Sequence, residues 1–393
     1  MRIKKLIIDK ADRLYQIPPE VRAHLSDERR NALLRRQDLI DLASLTWPAH
    51  LDSAWAPSPA NIRPASAELI ENLKEELLSW LAANQQVRLA STKEIFIGGR
   101  ISSLLYNLAL AYIDTGDVAF VPDLGVPQYR RVVVACGGEA VGYGISHKHN
   151  WTPRFDRIAG GLGRVARVLF LNSPHNPTGT ELSDSELADL VRQAAKENIL
   201  IINDAAYQAI PTRRPVSLLS VEGGRKVGVE VYSFSYQFGL PWLPFGFVAG
   251  NHEVIAGLKT AATLNPAYIP EYYVDLAFRA IRKYPSEGLR AVRSLCTKTA
   301  AEADKLLEML SLENVGTSTI PFLWARVQRR RNAGVLARLL YRRYRLLIAP
   351  GNSFGENGQG FLRFSLTAGP KAYEEACARI RSHPGLMRAK GTE

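Results

Sequence analysis

The chain has 393 residues, 46% hydrophobic and 22% charged, enough apolar sequence for a large core with a smaller second unit. No apolar run approaches a membrane span, and the first ten residues lack a secretory-type apolar stretch, so a membrane partner is excluded. Fifty basic residues against 38 acidic ones give a net charge of +12. The densest basic cluster holds Arg326, Arg329, Arg330, Arg331, Arg338, Arg342, Arg343 and Arg345. It lacks the interleaved aromatics of a nucleic-acid platform, so a basic surface suited to an anionic small molecule is expected. Three distant cysteines, Cys136, Cys296 and Cys377, show neither metal spacing nor a disulfide framework and point to a reducing cytoplasm.

Residues 1–50 read as a helical arm. Residues 66–84 carry Leu69, Ile70, Leu73, Leu77 and Leu81 at helical spacing. A strand at 94–97, the turn Gly98-Gly99-Arg100 and a helix over 102–113 follow. Strands are predicted at 118–121, 168–171 and 199–203. Between the last two, Ser183, Asp184 and Glu186 open a helix with the charge pattern its N-terminus favours. Alternating strands and helices imply an α/β fold with a mostly parallel sheet covered on both faces, and ligand sites beyond the strand C-termini. A second, smaller α+β unit begins near residue 273. It has helices over 273–283 and 286–311, strands near 321–327, 345–349 and 363–366, a basic helix over 334–344 and a last helix from about 370. The expected division is thus 1–50, 51–272 and 273–393.

Four motifs carry a resemblance. They are Asn172-Ser-Pro-His-Asn-Pro-Thr-Gly179, Asp204-Ala-Ala-Tyr207, Ala349-Pro-Gly-Asn-Ser-Phe-Gly355 with Phe361-Leu-Arg-Phe-Ser365, and Asp114-Thr-Gly-Asp117 with Val121-Pro-Asp123. In this order they resemble the class I/II aminotransferases, the fold-type I enzymes that use pyridoxal phosphate (PLP). The segment Asp12-Arg-Leu-Tyr-Gln-Ile-Pro-Pro19 is similar to the opening of aminotransferases related to diaminopimelate aminotransferase. The resemblance implies a role for each matching position. Asn176 and Tyr207 would bind the cofactor's phenolic oxygen, and Asp204 would pair with its ring nitrogen. Ser233 and Ser235 would face its phosphate. Arg363 would clamp a substrate carboxylate with two parallel donors. Two subunits normally build each site in that family, which implies a homodimer.

Several positions depart from the pattern. Tyr236 stands where the family has the lysine that holds PLP covalently, and Pro244 where an arginine grips the phosphate. Val126 replaces the aromatic ring that stacks on the cofactor, and the segment Ala54–Ala60 lacks the expected tyrosine. A residual phosphate cup remains at Gly98, Gly99 and Arg100, where a helix start offers free N–H groups. These departures suggest a vestigial cofactor site at Gly99, Arg100, Val126, Asn176, Asp204, Tyr207, Ser233 and Ser235. The expectation is no cofactor and a PLP-independent biosynthetic enzyme acting on a carboxylate-bearing, amino-acid-like molecule. Tyr236, Asp204 and Tyr207 would do acid/base work, while Arg363, Asn176 and Arg100 would bind substrate. One alternative is a non-catalytic pseudo-aminotransferase in a heterodimer with an active paralogue. Another is a lysine-free enzyme that still uses PLP or pyridoxamine phosphate (PMP). His175 is expected to be structural.

Overall fold

The computed structural model describes residues 16–17, 28–29, 32, 38–44, 63–155, 165–210, 216–239, 243–283, 287–317, 321–328 and 332–383. Most of the arm, the segment Ala54–Ala60 and Arg329, Arg330 and Arg331 lie outside the described residues.

Thirteen strands are described. In chain order they are β1 (Ile40–Asp41), β2 (Ile95–Gly98), β3 (Val118–Pro122), β4 (Glu139–Tyr143), β5 (Ala166–Asn172), β6 (Leu200–Asp204), β7 (Gly228–Ser233) and β8 (Gly246–Gly250), followed by β9 (Leu312–Asn314), β10 (Phe322–Val327), β11 (Leu346–Leu347), β12 (Ala349–Pro350) and β13 (Phe361–Ser365). One sheet has the order β2-β8-β7-β6-β5-β3-β4, and a second has β12-β13-β10-β9. In the larger sheet β8 runs antiparallel to both neighbours, whereas the pairs among β3 to β7 are parallel. β1 pairs with β11, so residues 40–41 form a strand where a helical arm was expected. Ile40 N and Leu42 N donate to Arg345 O and Leu347 O, and only an extended chain can follow that edge.

The helices begin where the caps require. Ser66 accepts from Leu69 N, and the helix Ala67–Gln85 buries Leu73, Leu77, Trp80 and Leu81 along one face. Ser183 and Glu186 form a reciprocal capping box at the start of the helix Asp184–Glu197. The basic helix Ala333–Tyr344 turns Leu336, Ala337, Leu340 and Tyr344 inward and leaves Arg338 and Arg342 in solvent.

Besides β1, the strands β4, β7, β8 and β9 escape the sequence reading. β7 and β8 are buried on both faces and carry no period-2 alternation to mark them. β7 also hides a carboxylate. Glu230 is fully buried and accepts from Ser217 Oγ (2.5 Å), Asn203 Nδ2 (2.8 Å), Leu218 N (2.9 Å) and the Tyr232 hydroxyl. Burial pushes this carboxyl above its ordinary range, and the four donors oppose that shift. Glu230→Leu strands those donors, each at a cost of about 1–3 kcal/mol. Denaturant unfolding is therefore expected to show a loss of at least about 3 kcal/mol, with Glu230→Gln losing less than half as much.

Candidate functional site

The parallel strands deliver the site. Asn172 ends β5 and is paired in register with Asp204 at the end of β6, while Ser233 ends the neighbouring β7. The crevice beyond these strand ends is where an open α/β sheet collects ligands.

The turn after β5 contains two cis X-Pro bonds, Ser173–Pro174 and Asn176–Pro177. It closes through Gly179 N to His175 O (2.7 Å), with Gly179 at φ +78, a conformation that favours glycine. Asn172 is the internal splint. Its Oδ1 accepts from Asn176 N (2.8 Å) and its Nδ2 donates to Asp204 O (2.8 Å). His175 is spent on structure, since Nδ1 bonds Thr178 Oγ1 (2.8 Å) and Nε2 bonds Leu124 O (2.9 Å). Burial holds it down to about 4, so it stays neutral near pH 7.

Asn176, Tyr207 and Arg363 meet in one hydrogen-bonded chain. Arg363 Nη1 donates to Asn176 Oδ1 (3.0 Å), and Asn176 Nδ2 donates to the Tyr207 hydroxyl (3.2 Å). A second guanidinium nitrogen of Arg363 donates to Ala43 O (2.8 Å). The guanidinium also lies over the Phe322 and Phe354 rings, 5.1 and 4.8 Å from their centroids. Ala43, Phe322 and Phe354 were not foreseen from the sequence, because nothing local marks a residue as the wall of a distant arginine.

Asp204 is buried, and burial pushes it up to about 6. Its Oδ2 accepts from the Tyr129 hydroxyl (2.8 Å) and its Oδ1 from Ala206 N (3.1 Å). A carboxylate has further lone-pair positions, so an N–H donor from a ligand can still be accepted. Tyr129 is also a residue the sequence reading missed. Its one sequence signal is its place three residues after Val126.

Tyr236 lies in the short helix Phe234–Phe238, capped by Ser233 Oγ, which accepts from Tyr236 N (3.4 Å). Its ring centroid is 5.1 Å from that of Tyr207. Burial, then Tyr236, raise the Tyr207 phenol well above its ordinary value. Ser235 Oγ donates to Leu243 O (2.8 Å), next to the half-buried Pro244. Val126 is half-buried against the apolar cluster under the helix Ile101–Tyr112.

Arg100 is the N-cap of that helix and makes no side-chain cap bond. Ser103 N and Leu104 N turn back to Arg100 O, whereas the N–H groups of Ile101 and Ser102 belong to the unpaired first turn. Gly98 is required beneath them, because a Cβ there would stand 2.7 Å from the Phe96 ring. The Ile101 side chain packs on the same cluster as Tyr207 and Tyr236, so the anion-seeking helix end adjoins the polar chain.

These groups fit PLP. A buried carboxylate can take the ring nitrogen, an amide and phenol pair the phenolic oxygen, and a helix N-terminus the phosphate.

Residues 64–380 match the family model described as aminotransferase class I and II. The chain is 26% identical over 393 residues to the LL-diaminopimelate aminotransferase of Halothermothrix orenii, covering 95% of this chain and 98% of that one. It is 28% identical over 396 residues to the enzyme of the same name from Desulforudis audaxviator, covering 96% and 98%. Among solved structures, apo-BacF from Bacillus subtilis superposes with a TM-score of 0.84 at 22% identity, covering 96% and 98%. A probable N-succinyldiaminopimelate aminotransferase from Thermus thermophilus gives 0.81 at 22%, covering 92% and 99%.

This overturns the expectation of a PLP-independent enzyme or pseudo-aminotransferase with no cofactor and no catalytic lysine. The relatives that align end to end are named as aminotransferases. Tyr236, Pro244, Val126 and the segment Ala54–Ala60 pointed away from the cofactor more strongly than the retained groups pointed to it. The ring-binding groups and the helix end were still in place. The chain belongs to the class I and II aminotransferase family, the PLP-using fold-type I enzymes.

Proposed function

We propose that this chain is an aminotransferase-family enzyme that uses PLP or PMP and acts on an amino-acid substrate through its carboxylate. The observation that carries this reading is the continuous chain Arg363–Asn176–Tyr207 beside the buried Asp204–Tyr129 pair. When bound, the cofactor supplies an electron-withdrawing ring that stabilises charge at the substrate α-carbon. Asp204 holds the proton of the ring nitrogen, and its ionised form is favoured by that partner. Asn176 and Tyr207 hold the phenolic oxygen. The N–H groups of Ile101 and Ser102, with Gly99, Arg100 and the Ser233 hydroxyl, receive the phosphate, whereas the Ser235 hydroxyl is held by Leu243 O. Arg363 holds the substrate carboxylate while Phe322 and Phe354 keep water from its faces.

Tyr236 is the proton carrier of this reading, with its phenol set beside that of Tyr207. Tyr236→Phe keeps the ring and removes the proton. It is expected to leave cofactor affinity within a few-fold and to cut kcat by about 100-fold or more. Steady-state kinetics that show an unchanged kcat would assign Tyr236 a filling role instead.

We place the chain in the cytoplasm, consistent with its three free cysteines. We also assign it a homodimer on family grounds. Among the described residues, no helix is long and apolar enough to cross a membrane.

The test is a spectroscopic titration of the purified chain with PLP and with PMP. A saturable induced circular-dichroism band is expected in the cofactor's absorption range. If neither compound gives saturable binding, the reading fails.

A further inference from the structure

Outside this site, a cavity of about 740 Å³ opens beyond the end of β4. It is lined by Ser146, His147, Lys148, His149 and Arg154 from one side, and by Asn357 and Phe361 from the turn leading into β13. Asp123 closes its base. The cavity therefore bridges the loops of the two large sheets, and Asn176, Tyr207 and Asp204 are not among its walls. Asp123 lines the cavity, while Leu124 O next to it is bound by His175 of the turn after β5.

We propose that this cavity is a second ligand site, one for a phosphate group. Four basic residues, His147, Lys148, His149 and Arg154, and the hydroxyl-bearing Ser146 line one concavity. A tetrahedral oxyanion suits donors arriving from several sides. Asp123, the carboxylate among the described lining residues, accepts from Ile145 N (2.8 Å) and Asn357 Nδ2 (2.9 Å). Lys148 is exposed and makes no ion pair with another described residue.

The basic turn ends in two successive left-handed residues, and the second of them anchors the turn in the core. Asn150 and Trp151 occupy successive left-handed conformations, at φ 49 and φ 63. Asparagine takes this conformation readily at a C-cap, but for a bulky side chain such as tryptophan it is an outlier that costs about 1–3 kcal/mol. The surroundings hold it in place. Trp151 is 2% exposed, its Nε1 donates to Val315 O (2.8 Å), and its ring meets Phe361 at 5.2 Å and Trp324 at 6.3 Å. Its edge also meets the His147 ring at 5.3 Å. The result is a rigid aromatic footing that presents His147, Lys148 and His149 to the cavity before any ligand arrives. A fixed turn backbone lowers the ordering cost of binding, while the exposed Lys148 side chain is ordered only on the ligand.

The inference stands apart from the cofactor reading and is tested without it. Inorganic phosphate is titrated into the full chain while the imidazole NMR signals of His147 and His149 are followed, assigned through His147→Gln and His149→Gln. The helix start at Gly98–Ser103 contains no histidine, so phosphate bound there leaves these signals in place. Saturable shifts of both rings are expected, with Kd near or below about 1 mM. Lys148→Glu should weaken binding at least tenfold, and Lys148→Gln several-fold. Glycerol phosphate in a second arm separates two sources of the same group. Tighter binding than inorganic phosphate assigns a phosphorylated metabolite, and equal binding assigns the free ion. Unsaturated shifts, or shifts of equal affinity in the Lys148→Glu chain, overturn the proposal.

Discussion

Replacing Asp204 by asparagine is expected to make the cofactor-free chain more stable at pH 8 and to weaken cofactor binding by one to two orders of magnitude. Asp204 is buried and raised to about 6, chiefly by burial, against an ordinary value of 3.8. The native state therefore binds its proton more tightly than the unfolded chain does. Between about pH 4 and pH 6 the native state carries more protons, so this group's contribution to stability falls as pH rises through that window. Above about pH 6 the full penalty applies. A shift of two units corresponds to roughly 3 kcal/mol, and the bonds from Tyr129 and Ala206 N, weaker to an amide oxygen than to a carboxylate, limit how much of it is recovered. A gain of about 1–2 kcal/mol at pH 8, vanishing below about pH 4, is expected in urea unfolding. The same change removes the charge that meets the ring nitrogen, and a charge-assisted bond contributes roughly 1.5–3 kcal/mol, or about 10- to 100-fold in Kd. Stability rising while affinity falls would identify Asp204 as a group kept for ligand binding. Loss of stability at pH 8 would refute that assignment.

The second large effect is expected at Arg363. Arg363→Ala should lower kcat/KM for an amino-acid substrate about a hundredfold or more, since two charge-assisted bonds to a carboxylate contribute roughly 1.5–3 kcal/mol each. Lysine should restore less than a tenth of the loss. Its point charge cannot hold Asn176 Oδ1 and Ala43 O at once while lying flat between Phe322 and Phe354. Steady-state kinetics on the three chains check this, with cofactor titration as the control. The cofactor Kd should move far less than KM, because Asn176 keeps its backbone anchor to Asn172.

The two predictions rest on residues of unequal legibility. Asp204 and Arg363 were visible in the sequence because each sits in a short motif whose spacing is set locally. One ends a strand, and the other lies on a strand shortly after a glycine-rich turn. Tyr129, which donates to Asp204, had no such motif. Ala43 contributes through its backbone carbonyl, and a carbonyl leaves no trace in residue type. The burial that raises Asp204 is likewise a property of packed neighbours, not of the aspartate.

The cofactor expectation failed for a related reason. The departures at positions 236, 244 and 126 and in the segment Ala54–Ala60 outweigh, in the sequence, the retained Asn176, Asp204, Tyr207 and helix-start positions. The folded chain keeps the splint Asn172, the Asn176–Tyr207 pair and the open helix start at Ile101 in one place, and aminotransferases align along nearly its whole length.

By itself the sequence determined the family frame, the order of the parallel strands' motifs, the capped helix starts and the identities of Asp204, Asn176, Tyr207 and Arg363. These depend on interactions a few residues long, such as caps, turns and strand ends. Only the tertiary structure decided which carbonyls and rings hold Arg363, how far burial shifts Asp204, that β8 runs antiparallel, and that Lys148 and Asn357 line one cavity. Each of these arises from contacts between residues far apart in the chain, and local pattern carries no record of them.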